Sequence, residues 1–187
     1  MRKHWMTFLA VVIAVYLLIG RGWGIKHRIS QELQLDLFWG NSTIYHDNHD
    51  HLLHNDGVTV MVMEFSQQSG QYMQKQLTAS LVWDVYPLPP QLQSEIYEGG
   101  CYTWDTPSTF AEMAKLPQVE NGYWFFIDQT AHRNGTPRYG RKALDGLEAR
   151  KPELIQAGYP GWEMPGAYAL ALYDLDSDTL YYFQKNR

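Results

Sequence analysis

Cysteine is all but missing from this chain, with Cys101 the only one among 187 residues. A single thiol excludes an internal disulfide framework and a cysteine-rich zinc site. Acidic side chains are missing from residues 1–29, where Arg2, Lys3, Arg21, Lys26 and Arg28 give a charge of +5. Residues 30–187 hold the other 10 basic residues and all 20 acids, a balance of −10. So acidic a body argues against a nucleic-acid binder, because affinity for phosphate needs a basic surface. Hydrophobic residues at 45% and aromatics at 14% exclude a disordered or collagen-like chain. The length fits one domain beyond the N-terminal segment.

Arg2 and Lys3 precede an apolar run from Trp5 to Gly20 that only Thr7 interrupts. A charged start followed by an apolar stretch has the order of an export signal or signal anchor. Sixteen helical residues span roughly 24 Å, short of a bilayer core of about 30 Å. Extension to Ile25 gives about 31 Å, with Arg21 snorkelling to the headgroups. Trp5 and Trp23 then fall at the two interfaces, where indoles are favoured. Basic residues flank both ends, and the short basic tail favours an N-terminus inside. Gly20-Arg21-Gly22 offers small residues at cleavage spacing, but the Arg between them favours an uncleaved anchor over a cleaved, secreted form. A buried helix of a soluble domain is disfavoured, since Phe8 to Ile19 is apolar on every face.

Residues 26–34 read as a polar flank able to continue the helix. From Leu35 to Tyr45 the pattern turns β-like, interrupted by Gly40-Asn41-Ser42. Val58 to Phe65 is the clearest strand, β-branched and nearly continuous, as expected of burial on both faces. Met73, Leu77 and Leu81 give an amphipathic helix over Gln71–Leu81. Pro87-Leu88-Pro89-Pro90 stops regular structure. Short helices follow over Gln91–Tyr97 and Ser108–Leu116, the latter capped by Ser108 or Thr109. Gly122 to Asp128 is a second strong strand, and residues 129–165 form a long excursion with a short helix near Arg141–Arg150. Ala167–Tyr173 and Thr179–Phe183 flank the acidic turn Asp174–Asp178 as a β-hairpin. Strands and helices do not alternate regularly, so the expected class is α+β with a mostly antiparallel sheet and a few short helices.

Four of the seven histidines and three aspartates fall between His46 and Asp56. Imidazole and carboxylate suit a divalent metal such as zinc, and His46, His49, His51, His54 and Asp56 are the candidate ligands. The segment lacks the H-E-x-x-H pattern, and a polar loop with Asn55-Asp56-Gly57 turning into the strand accounts for it as well. Cys101 after Gly99-Gly100 has no nearby base to make it a nucleophile. His132, Arg133, Arg138, Arg141, Lys142, Arg150 and Lys151 form the only basic stretch of the body. That stretch is suited to an anionic polymer or headgroup, though acids are interleaved with it. Asp174, Asp176 and Asp178 alternate without the Gly and Glu of a calcium loop and read as a polar turn. Asn41-Ser42-Thr43 and Asn134-Gly135-Thr136 match the glycan acceptor pattern, relevant only to a eukaryotic secretory route. Tyr123-Trp124 and Tyr181-Tyr182-Phe183 place aromatics in strands, where packing is a commoner use than sugar or peptide binding.

His54-Asn55-Asp56-Gly57, Trp83 to Leu88, Gly122 to Asp128, and Tyr173-Asp174 with Leu180-Tyr181-Tyr182 occur in an order that resembles one family. It is an uncharacterised family of small membrane-anchored proteins of Gram-positive bacteria, with a signal anchor, an acidic body and a His-x-Asp-Gly motif before a strand. The family's paired glycines are replaced here by Leu52-Leu53 or His51-Leu52, and of its histidines only His54 carries over. The resemblance implies a topology and supplies no activity.

Together these features describe a signal anchor with its basic flank at 1–29 and an acidic extracytoplasmic α+β domain at 30–187. The lipid bilayer is its partner through residues 5–25. The leading functional reading is a non-enzymatic binding or accessory module at the cell surface, its protein or envelope partner unidentified. The alternative is a metal-binding protein or metal-dependent hydrolase using the His46–Asp56 cluster.

Overall fold

A computed structural model describes residues 24–48, 57–99, 101–102, 107–130, 138–156 and 164–186. The chain divides into two compact units, Met1–Trp39 and Gly40–Arg187. The predicted span over residues 5–25 lies outside the described residues except for its last two. Among the described residues no helix is long and apolar enough to cross a membrane.

In the first unit a helix, α1, covers residues 24–33. Gln34 then adopts the left-handed conformation (φ 55°), and Leu35 N–H donates back to the Ser30 carbonyl at 3.1 Å. A left-handed residue just past the last turn reverses the chain and satisfies a terminal carbonyl. Ile29, Leu33, Leu35 and Leu37 are buried, whereas Phe38 and Trp39 are exposed. The alternation of Leu35 and Leu37 that reads as a strand is therefore part of this reversal; extended structure begins only at Asn41.

The second unit is built on six strands, β1 (Asn41–Asp47), β2 (Gly57–Glu64), β3 (Asp84–Val85), β6 (Gly122–Asp128), β7 (Tyr168–Asp174) and β8 (Thr179–Asn186). Their order is β1-β2-β8-β7-β6-β3, and every neighbouring pair is antiparallel. A separate two-stranded ladder joins β4 (Cys101–Tyr102) to β5 (Pro107–Ser108). The expected α+β class with an antiparallel sheet is thus observed. The predicted hairpin is β7–β8, and it turns because Asp174 Oδ1 accepts from Asp176 N–H while Oδ2 accepts from Ser177 Oγ. Asp174 thus serves the turn through its own side chain, whereas Asp176 accepts from Asn121 and Asp178 from Tyr173 and Gln74.

Helices follow their local signals with shifted limits. α2 runs from Gln67 to Ala79, earlier than the Leu spacing indicates, because Ser66 accepts from Ser69 N–H and caps it. α3 is Pro90–Tyr97; Pro90 starts it rather than breaking it, since its missing N–H lies in the first turn. α4 is Phe110–Ala114, with Thr109 and Glu112 bonding reciprocally as a capping box. α5 extends over Gly140–Gln156, longer than the predicted Arg141–Arg150. Its start is fixed from outside, by Asp84 Oδ2 of β3 accepting from Arg141 N–H at 2.9 Å. No local pattern announces a cap supplied by a distant strand.

Alternation divides the side chains between two faces. One carries Val58, Val60, Val62, Trp124, Phe126, Leu170, Leu172, Tyr181 and Phe183 against Leu92 and Ile96 of α3, Phe110 of α4 and Leu144 and Leu147 of α5. Full burial of each large apolar side chain contributes roughly 1.5–3 kcal/mol. On the opposite face α2 approaches β6, where Thr78 Oγ1 lies 3.2 Å from Tyr123 Oη, and Trp83 packs against Phe125. β2 and β7 are buried on both sides over most of their length, which is why their sequences are nearly continuous in apolar residues.

Candidate functional site

The two ends of the sheet are built differently. At one end β7 passes to β8 through the tight Leu175–Asp178 turn, and β2 passes to α2 through Phe65 and Ser66. At the other end lie the close of β1, the start of β2, the close of β6, the start of β7 and the close of β8. The connections that leave β1 and β6 and the one that enters β7 include residues 49–56, 131–137 and 157–163, which lie outside the described residues. Scaffolds commonly carry recognition residues on extended connections gathered at one end.

A polar row crosses this end of the sheet. Register places Val58, Lys185, Tyr168 and Asp128 side by side on the α3–α5 face. Lys185 Nζ lies 3.1 Å from Glu95 Oε1 of α3, and the two side chains are only 16% and 15% exposed. The Tyr168 hydroxyl donates to the same Glu95 oxygen. Asp128, 1% exposed, accepts from Arg150 of α5 at 2.8 Å. A carboxylate this buried requires a charged or hydrogen-bonding partner, because its desolvation is otherwise uncompensated. The row therefore locks α3 and α5 to the sheet end and presents matched charges there. Tyr168 is itself fully buried, so its hydroxyl positions Glu95 and meets no substrate. The arrangement can orient a polar ligand at its rim.

The sequence-predicted residues that are described fall at several places in the fold. His46 lies on β1 opposite Val60 and is exposed. Asn48 closes the base of the next connection, since its N–H donates to the Val58 carbonyl at 3.1 Å and its Oδ1 accepts from Val58 N–H at 2.6 Å. His49, His51, His54 and Asp56 lie outside the described residues, as do His132, Arg133 and Asn134. Among the described residues no group of three metal-ligating side chains comes together. Cys101 is in β4, and Asn41-Ser42-Thr43 opens β1. Of the basic stretch, Arg150 pairs with Asp128, while the Arg141 guanidinium lies over the Trp124 ring, 5.9 Å from its centre. The predicted aromatic clusters of β6 and β8 are mostly packed in the interior rather than displayed.

Sequence reading singles out neither Glu95 nor Lys185, Tyr168 or Asp128. A usable signal exists for two of them. Lys185 continues the inward phase of Tyr181 and Phe183, and Asp128 continues that of Trp124 and Phe126. A charge in the apolar phase of a strand marks a buried partner. No family model, curated protein or solved structure matches the chain, so what the site does is argued from its own residues.

Proposed function

We propose that this chain is a single-pass membrane protein that displays its acidic domain outside the cytoplasmic membrane as a non-enzymatic binding or accessory module. The observation that carries this reading is the row of partly buried ion pairs, Lys185–Glu95 and Asp128–Arg150, at the sheet end where β6 and β8 close and β2 and β7 begin. The apolar run and basic flank before residue 30 support the anchor. The resemblance to a family of membrane-anchored proteins, read from short sequence motifs, supports the same arrangement of anchor and body. The module's ligand meets the sheet end that carries these pairs and is held by rim polar groups rather than converted.

Two measurements test this. Alkaline phosphatase fused at Arg187 is expected to be active in cells; activity only of a cytosolic reporter at that position refutes the external location. A photoreactive phenylalanine at Arg133 is expected to give discrete crosslinks in intact cells, while one at Ser177 in the tight turn gives none. Crosslinks from Ser177 alone would move the binding surface to the opposite end.

A second reading is favoured by the Asn48–Val58 clasp, which closes the base of the connection bearing His49, His51, His54 and Asp56, with His46 on the adjoining strand. Imidazole and carboxylate, the donors that this connection carries in sequence, are the types that zinc or a similar ion takes. Elemental analysis of the natively purified full chain decides between them. Stoichiometric metal lost on His51→Ala with His54→Ala establishes this reading, and its absence removes it.

A further inference from the structure

Phe38 and Trp39 are large, adjacent and open to solvent, at 54% and 64% exposure. Their rings meet edge to face with centroids 4.7 Å apart, and Asp36 Oδ1 accepts from Phe38 N–H at 3.0 Å, fixing the turn that presents them. The left-handed Gln34 folds residues 35–39 back along α1. The result is a recess of about 210 Å³ lined by Lys26, His27, Ser30, Asp36, Leu37 and Phe38. Phe38 has thus returned to the level of the first turn of α1, beside Lys26 and His27.

That first turn is where the proposed span of residues 5–25 ends. A chain leaving the hydrocarbon at residue 25 enters the headgroup layer within one or two residues, and α1 rises from there at about 1.5 Å per residue. We propose that Phe38 and Trp39 insert into this headgroup layer as a second attachment to the bilayer, with Lys26 and Arg28 beside anionic lipid. The proposal rests on the anchored reading given above. Aromatic side chains concentrate at that depth, and basic side chains close to it are drawn to anionic headgroups. A span followed by an aromatic pair folded back to its exit point constrains α1 at two places instead of one. The lipid surface is the occupant to which both the exit position and the exposed aromatic pair correspond.

The test uses the full chain with Cys101→Ser, reconstituted in phosphatidylcholine vesicles containing about one quarter phosphatidylglycerol. Trp39→Cys and, separately, Leu17→Cys carry an environment-sensitive fluorophore, and lipids bearing a nitroxide near the headgroup or at mid-chain serve as quenchers. The expected result is loss of emission at position 39 to the shallow nitroxide and at position 17 to the mid-chain one. A label at Phe38→Cys should behave as the one at position 39, which guards against a local effect of one substitution. Quenching at 17 with none at 38 or 39 overturns the aromatic attachment and leaves the anchor standing. Quenching at neither region overturns the anchor, and the attachment falls with it. Quenching at 39 alone also overturns the proposal, because the pair would then meet lipid without a span to bring it there.

Discussion

Alkali should unfold the Gly40–Arg187 unit through tyrosines that cannot ionise in place. Tyr173 is held well above the ordinary tyrosine value of about 10, first by burial. The charge of Asp178, the bond that the Tyr173 hydroxyl donates to Asp178 Oδ1 at 3.0 Å and the charge of Asp174 add to this. Tyr86 is raised by burial and then by Tyr97 and Asp174; Tyr97 and Tyr181 are raised too, burial again being the largest cause. Below pH about 10 the folded and unfolded chains both keep these protons, and the contribution to stability is complete. Above it the unfolded chain releases protons that the folded chain retains, so the unfolded state gains and stability falls. Each such group contributes a slope of about 1.4 kcal/mol per pH unit, and the buried pair Tyr173 and Tyr181 about 2.7 together. A domain of about 5–15 kcal/mol then unfolds within a few pH units of the tyrosine value.

The assay is denaturant unfolding of the detergent-solubilised chain across alkaline pH, with tyrosinate absorbance counting the ionised groups. Tyr173→Phe removes one proton site and one hydrogen bond to a carboxylate. It should lower stability near neutrality by about 1.5–3 kcal/mol. It should also make the alkaline slope shallower by about 1.4 kcal/mol per pH unit. The reasoning is refuted if all 13 tyrosines of the folded chain ionise together at the ordinary value, or if Tyr173→Phe keeps the parent slope.

Other perturbations follow from single contacts. A Cβ on Gly122 would sit 2.0 Å from the Tyr173 carbonyl oxygen, so Gly122→Ala should cost about 1–3 kcal/mol in denaturant unfolding, near the upper end because the obstacle is backbone. Lys185→Met leaves Glu95 half-buried with one donor fewer and should cost about 1–3 kcal/mol; adding Glu95→Gln should restore part of it, a coupling readable in a double-mutant cycle. Asp84→Ala removes the acceptor that starts α5 and should lower stability by about 1 kcal/mol with a small loss of helical circular dichroism. Unchanged stability in any of these would mean that the contact concerned is dispensable.

The sequence alone determined the elements whose signals are local. Val58–Phe65 and Gly122–Asp128 declare buried strands by apolar continuity, the acidic Asp174–Asp178 turn declares its hairpin, and Ser108-Thr109 declares a helix start whose capping residue the structure identifies as Thr109. Limits failed where a distant residue sets them, as Asp84 does for α5, and where leucine spacing served a chain reversal rather than a strand, as at Leu35 and Leu37. The charge division and the apolar run were equally plain, because composition does not depend on folding.

Tertiary structure decided which strands become neighbours, and with them the polar row. Glu95 lies 73 residues from Tyr168 and 90 from Lys185 in the chain, yet one of its oxygens serves both. Local periodicity fixes only which way a side chain points; it does not say which of several apolar strands will pair. That choice belongs to the packing of the whole sheet, where β8 inserts between β2 and β7 and buries the charges of three distant segments together.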